Sequence, residues 1–480
     1  MRFVAAILVM ALGCSSGDTS GGSGGSGGAG GSGGSGGGSG GSGGSGGHGG
    51  SGGTGGSGDS GGTGGSAGNG TGGSGGSGGI GGSGGGTCTS GLGAWTGNDN
   101  VAPSQMPPCG LAPNQVPQFV SVHFDDNAYS GLQGSNGTGG VDWIVQMMRN
   151  KQNQAGSGNA ATYDGTPALV GFYFTTYYIA VWGNESNAYV KRAWHEALQA
   201  GFEVGNHTQT HLPNHGGTMY SEAQWTDEIN QCITWLTKPF DPNEANDSPN
   251  DADGIGAARD QIFGFRTPYL EYDDATFSAI KNAGFWYDVS IQEGYEDGQT
   301  AQNFFWPYTL DNGSPGNDVL VSWGSSVPIM QHPGLWELPV YPVIVPPDDV
   351  AAQYGVTPGL RDRMHTTQSY FDVNDGKITG IDYNLWVDAG NGGFAMSKAE
   401  FLATLKYTLD QHLAGNRAPM MIGAHSEQYS SKYMYPPRAT PEERQQALEE
   451  FIDYALSKPE VRVVTNKQIL DWIRNPSPIN

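Results

Sequence analysis

From Ser15 to Gly86 the chain is almost entirely glycine and serine, so whatever it folds into must be built from the residues that follow. Such a stretch has no apolar face to bury and no charge pattern to order it, and a flexible coil is expected. About 70 such residues have a root-mean-square span of roughly 45–50 Å, which suits a passive tether. Most of the 82 glycines lie there, which leaves the remainder with an ordinary composition and enough length for a large core. Length alone would permit two domains, but barrels of this size are often one unit.

Ahead of that stretch, Arg2 precedes an apolar run from Phe3 to Leu12 that ends in Ala11-Leu12-Gly13-Cys14. A membrane-crossing helix needs roughly 20 apolar residues, so a run half as long is expected to be an export signal. Gly13-Cys14 resembles a lipoprotein box, in which the cysteine becomes the lipidated first residue; Ala11 stands where that box usually has Leu, which leaves plain secretion as the alternative. The formal net charge of −24 argues against nucleic acid as a partner and against a basic membrane-binding face. Membrane contact is therefore expected only through the lipid anchor. Cys88 and Cys109 flank a lead-in rich in Pro, Gly and Asn that a disulfide could pin. Cys232 falls at helical spacing with Trp225, Ile229, Ile233 and Leu236 and is expected to be a buried free thiol. The expected division is a signal at 1–14, a linker at 15–87, a lead-in at 88–116 and a folded domain at 117–476.

Within that domain strand-like and helix-like stretches alternate. Strands are predicted at Gln118 to Phe124, Ala168 to Thr175, Phe202 to Gly205, Ile262 to Arg266, Phe285 to Ser290, Ala418 to Ala424 and Val461 to Val464. Helices are predicted at Val141 to Arg149, Asn187 to Ala200, Ser221 to Leu236 with a Ser-x-x-Gln capping box, Asp274 to Ala283, Ser397 to Leu413 and Thr440 to Ser457. This alternation favours an α/β fold with a parallel sheet closed, or nearly closed, into a barrel. From about 303 to 393 the rhythm breaks, and long loops with short strands such as Leu335 to Val343 are expected to shape a cleft.

Chemically capable side chains recur where the strands end: Asp125-Asp126, His207 and His211, Arg266, Asp288 and His425. In a parallel barrel those ends open onto one face. His207-Thr-Gln-Thr-His211 places two imidazoles one helical turn apart or on the arms of a tight turn. Two His and one carboxylate are the ligand set of a catalytic zinc site, and Asp126 is the natural third ligand. Adjacent carboxylates on a strand point to opposite faces, which lets Asp125 and Asp126 divide the work. His215 is set aside because Pro213 breaks the turn, and His123 is expected to pack.

Val122-His-Phe-Asp-Asp-Asn127, His207-Thr-Gln-Thr-His211, Arg266-Thr-Pro-Tyr269, Tyr287-Asp288 and His425 resemble, in order, the motifs of the NodB-type polysaccharide deacetylases, carbohydrate esterase family 4. Pro117-Gln118, Phe305 to Tyr308, Leu335-Trp336-Glu337, Asn416 to Pro419 and Asp471-Trp472-Ile473 resemble its animal-type chitin deacetylases. The resemblance implies a distorted (β/α) barrel and one divalent metal (zinc, or else cobalt or manganese) on Asp126, His207 and His211. It makes Asp125 the general base, His425 the general acid, Arg266 the residue that holds Asp125, Asp288 the one that orients or charges His425, and Tyr269 the donor of a backbone N–H to the oxyanion. The implied partner is an acetylated polysaccharide or oligosaccharide.

This sequence departs from the family pattern in two places. Asn127 stands where a small residue is usual, and Asn accepts positive φ more readily than most residues. Gly423 stands where a Leu is usual, so the pocket for the acetyl methyl should be wider or lined by another residue. Chitin, peptidoglycan and acetylated xylan all remain open as substrates, and so does a glycan-binding lipoprotein that has lost turnover.

Overall fold

The structure is a computed structural model and describes residues 91–181, 185–215, 219–246 and 251–479. The expected signal, linker, Cys14 and Cys88 lie outside them. Eleven strands are formed among the described residues: β1 Gln118–Asp125, β2 Gly171–Phe174, β3 Glu203–Asn206, β4 Ile262–Phe265, β5 Tyr287–Asp288, β6 Tyr308–Thr309, β7 Trp336–Glu337, β8 Pro342–Ile344, β9 Lys377–Thr379, β10 Met420–His425 and β11 Val461–Val463. The main sheet runs β10-β1-β2-β3-β4-β5-β7-β6, with β11 also on β1. Every pairing in it is parallel except β6 with β7.

Between its ends the sheet is bridged by a few backbone hydrogen bonds. Val340 N–H donates to Ile291 O (2.9 Å), Gly380 N–H to Tyr341 O (3.1 Å) and Gly423 N–H to Gly380 O (2.8 Å). The result is a distorted (β/α) barrel, closed by irregular backbone on one side.

Residue alternation explains how the barrel is filled. Along β1, Val120, Val122 and Phe124 join the large core beneath the outer helices, whereas Phe119 joins the other cluster, with Tyr173 and Tyr287. A Cβ on Gly205 would lie 2.3 Å from the Tyr173 ring, and one on Gly264 would lie 2.2 Å from the Tyr287 ring. Those two glycines make room for the tyrosines, whose hydroxyls both donate to the buried Glu203 carboxylate. His123 is fully buried against Tyr173 and bonded to Ser121 Oγ at 2.7 Å, a packed side chain.

The helices follow their caps. Ser221 closes a capping box on Glu222–Thr237, Ser397 on Lys398–Ala414 and Thr440 on Pro441–Leu456. Cys232 is free and buried, as its helical spacing suggested, and burial pushes its thiol up to about 12. Cys109 is disulfide-bonded, with its partner outside the described residues.

The segment 303–393 departs from the loop reading. It contains helices Pro315–Ser322, Asp348–Ala351, Leu360–Thr367 and Asp382–Trp386 besides β6 to β9. None exceeds eight residues, too short to show a period in sequence. The single strand expected at Leu335 to Val343 is two: β7 lies parallel to β5, and β8 pairs antiparallel with β9.

Candidate active site

β1 ends at Asp125, and the next two residues turn with positive φ, 64° at Asp126 and 73° at Asn127. Strand alternation therefore does not separate the two carboxylates; the left-handed turn does, by swinging Asp126 off the strand. Asn127 suits that conformation because its amide donates to Phe124 O (2.8 Å) and Tyr173 O (3.1 Å), tying the turn to β1 and β2. Glu427 holds the same turn from the far side, accepting the Ala128 N–H.

Asp126, His207 and His211 converge, with one donor atom from each within 4.8 Å of the others. Asp126 Oδ1 lies 3.3 Å from His211 Nε2 and 3.8 Å from His207 Nε2, and accepts from Thr175 Oγ1 at 3.1 Å. His207 Nδ1–H donates to Arg266 O at 2.8 Å, which leaves the Nε2 lone pair facing the cluster. Burial, then the neighbouring His211, lower His207 to about 3, so it is a neutral imidazole at any working pH. His207 to His211 is a turn, not a helix: Thr208 and His211 have φ of 69° and 53°. Glu228 fastens it by accepting from the N–H groups of Gln209 (3.0 Å) and Thr210 (2.8 Å).

Beside this cluster Arg266 Nη1 contacts both oxygens of Asp125, at 2.9 and 3.0 Å. Arg266 is itself held by Nε–H donation to Val289 O (3.0 Å). Both residues are almost wholly buried, so the pair is screened little by solvent. The Tyr269 ring packs edge-on to His211 with centroids 4.7 Å apart, and Tyr269 adopts φ 56°. That brings its backbone to the metal-ligand side of the site.

Beside Asp125 stands His425, the last residue of β10 and its register partner on the neighbouring parallel strand. Its Nδ1–H donates to Asp382 Oδ1 at 2.8 Å, and its backbone N–H to Asp382 Oδ2 at 3.1 Å. Burial works against the imidazolium, but Asp382 first, and then Asp125 and Asp126, outweigh it and raise His425 to about 10.

Asp288 is therefore not the partner of His425, which corrects the sequence expectation. It accepts from Ser290 N–H (2.8 Å) and Ser290 Oγ–H (2.9 Å), and Ser290 Oγ accepts the Thr267 N–H. Burial pushes Asp288 up to about 6, and its place is under the loop that carries Arg266 and Tyr269. Asp382 lies 43 residues before His425, in the stretch where only loops and short strands were expected. Nothing local in Asp-Tyr-Asn-Leu-Trp marks it.

The open question at Gly423 is answered by the residue next to Asp382. A Cβ there would lie 2.1 Å from Ile381 Cδ1 and 3.3 Å from Arg266 Nη1. Ile381 thus fills the space that a larger side chain at 423 would take, and forms a parallel bridge to Gly423.

The chain is 21% identical over 378 residues to chitin deacetylase 8 of Bombyx mori, covering 78% of this chain and 74% of that one. That likeness agrees with the resemblance of its motifs to the NodB-type polysaccharide deacetylases, carbohydrate esterase family 4. No protein-family model matches. Among solved structures, a Mycobacterium smegmatis protein assigned to the polysaccharide deacetylases is 16% identical with TM-score 0.42, covering 78% of this chain and 95% of that one. A family 4 carbohydrate esterase from Streptomyces lividans is 18% identical with TM-score 0.22, covering 45% and 79%. At that distance neither structure assigns a role to any residue here.

Proposed function

We propose that this chain is a metal-dependent hydrolase that removes acetyl groups from N-acetylglucosamine residues of a chitin-like polysaccharide. The coarser statement, a carbohydrate deacetylase cleaving amide bonds, rests on the relatives. The observation that carries the mechanism is the placement of Arg266-held Asp125 and Asp382-held His425 around the Asp126, His207 and His211 cluster.

That cluster fits a zinc ion by its donor chemistry: two imidazoles, one fixed as the neutral Nδ1–H tautomer, and one carboxylate. When bound, such an ion polarises the acetyl carbonyl and makes a water molecule more acidic. Asp125 then takes the proton from the attacking water, its carboxylate fixed by Arg266. The backbone N–H of Tyr269 is offered to the oxygen on which negative charge develops. His425, protonated at neutral pH, gives its proton to the departing amine, and Asp382 fixes the ring and stabilises its charge. Base and acid are thus separate groups, each held by an oppositely charged partner.

The same reading has residues 117–476 as the catalytic domain of an exported protein, anchored by lipid on Cys14. The sequence Arg2, Phe3 to Leu12, Gly13-Cys14 supports it. The decisive experiment measures acetate release, with and without chelator, from chito-oligosaccharides, peptidoglycan and acetylated xylan side by side. Chelator-sensitive release greatest on chito-oligosaccharides is expected. Preference for either other polymer overturns the substrate, and binding without release from any of them overturns the enzyme.

A further inference from the structure

The mechanism leaves unused a pair of acids inside the barrel. Asp288 on β5 and Glu337 on β7 are register partners on adjacent parallel strands, so their side chains stand side by side, and both are wholly buried. Glu337 Oε1 accepts the Ile291 N–H at 3.1 Å. Its Oε2 meets no N–H or hydroxyl donor among the described residues, yet its carboxyl is hydrogen-bonded to that of Asp288. Two carboxylates are both acceptors, so such a bond exists only when one of them keeps a proton. Asp288 already accepts twice from Ser290, which favours its ionised form. Burial, and then the Asp288 charge, hold Glu337 well above the usual carboxylate range, so the proton stays on Glu337. Facing the pair, Arg266 favours the charge on Asp288, Glu293 opposes one on Glu337, and the remaining titratable neighbours are the phenols of Tyr272, Tyr308 and Tyr341.

A single serine connects this proton to the active site. Ser290 has one hydroxyl hydrogen and gives it to Asp288 Oδ1, which turns the oxygen's lone pairs toward the Thr267 N–H, 2.9 Å away. Thr267 lies between Arg266, which fixes Asp125, and Tyr269, whose N–H serves the developing oxyanion. Tyr269 and Leu270 both have positive φ, 56° and 57°, a backbone that side chains adopt only where their surroundings impose it. The Thr267 hydrogen bond is one of the contacts that impose it.

We infer that Glu337 is a positioning residue for the reaction: by donating its carboxyl proton to Asp288 it sets the Ser290 hydroxyl, and through it the loop that presents Arg266 and the Tyr269 N–H. Its part in turnover rests on the deacetylase reading, and the hydrogen-bond chain does not.

Three variants of the full chain, loaded with zinc, test this. Glu337→Gln still donates to Asp288 and accepts from Ile291. Glu337→Leu has similar bulk and no donor, and Ser290→Ala breaks the chain one link further on, which keeps the test alive if the leucine variant does not fold. On soluble chito-oligosaccharides Glu337→Leu and Ser290→Ala should each lose about ten- to hundredfold in kcat with little change in KM, while Glu337→Gln stays within about threefold of the wild type. Equal losses by the glutamine and leucine variants, or no loss by either broken chain, overturn the role. Hydrogen exchange of the peptide from Arg266 to Leu270 is read on the same proteins without substrate. Faster exchange in the broken chains than in Glu337→Gln supports the positioning even if nothing is turned over, the outcome that would sink the deacetylase reading alone; equal exchange in all of them overturns it. The shared proton has its own readout. A raised carboxyl stabilises the fold fully below its ordinary 4.5 and loses that contribution as pH rises toward its folded value, whereas glutamine has nothing to lose. The unfolding constant of the wild type relative to Glu337→Gln should therefore rise with pH above 4.5, by up to about tenfold per unit. A ratio that does not change with pH overturns the shared proton.

Discussion

Asp125 and Asp126 are neighbours with different surroundings, and substitution should separate them. Asp125→Asn keeps the volume and leaves the three converging donors intact, so metal content should persist while acetate release falls by about 10²- to 10⁴-fold. Asp126→Asn removes the anionic donor, so occupancy should fall first and excess zinc should restore part of the activity. Metal analysis and acetate release on both variants check this; metal loss by Asp125→Asn with retention by Asp126→Asn would show the roles reversed. A second residue-scale test concerns Ile381. Restoring the family's usual side chain with Gly423→Leu should destabilise the fold by about 1–3 kcal/mol, because the new atoms overlap Ile381. Adding Ile381→Ala should recover much of that, a coupling visible in a urea double-mutant cycle. Additive losses would mean that the two side chains do not compete for one space.

At the scale of elements, the segment from Gly380 to Asp382 does three things: it bridges the barrel to β10, places Ile381 over Gly423 and brings Asp382 to His425. Removing the Asp382 charge with Asp382→Asn keeps an acceptor for Nδ1–H but lets burial lower His425. His425 must be protonated to act as an acid, so the alkaline limb of the rate profile should move down by at least one pH unit. A merely structural defect would lower activity equally at all pH values. A cation at Asp126 would offset the part of the His425 shift owed to that carboxylate and leave the part owed to Asp382. Since about 10 lies above the ordinary 6.5, the pair contributes fully to stability below about pH 6.5, and that contribution is lost as pH rises through about 10. The strands and capped helices were legible because each declares itself within a dozen residues, by alternation or by Ser-x-x-Gln and Thr-x-x-Glu boxes. So were the residues brought together at the strand ends, since a parallel barrel gathers them. Asp382 was not, because its contact spans 43 residues and its helix has only five. Asp288 misled because being at a strand end shows which face a residue is near, not which side chain it meets.

For the whole molecule, the net charge of −24 bears on the proposed lipid anchor. That charge disfavours binding to anionic lipid, and among the described residues no helix is long and apolar enough to cross a bilayer. The proposed lipid attachment rests on Cys14, more than 100 residues ahead of Asp125, with the Gly/Ser-rich stretch between. Cys14→Ser in the full chain, expressed in a bacterium with a lipoprotein pathway, should move the protein from the detergent phase to the aqueous phase. Its specific acetate release from soluble oligosaccharides should stay within about twofold, because Cys14 lies in none of the catalytic or binding elements. On an insoluble polymer held at the cell envelope, the untethered protein should instead lose rate, since a tether keeps the enzyme near that polymer at an effective concentration that diffusion does not supply. Unchanged detergent partitioning by Cys14→Ser would remove lipid attachment at that residue and leave plain secretion as the account of the first fourteen residues.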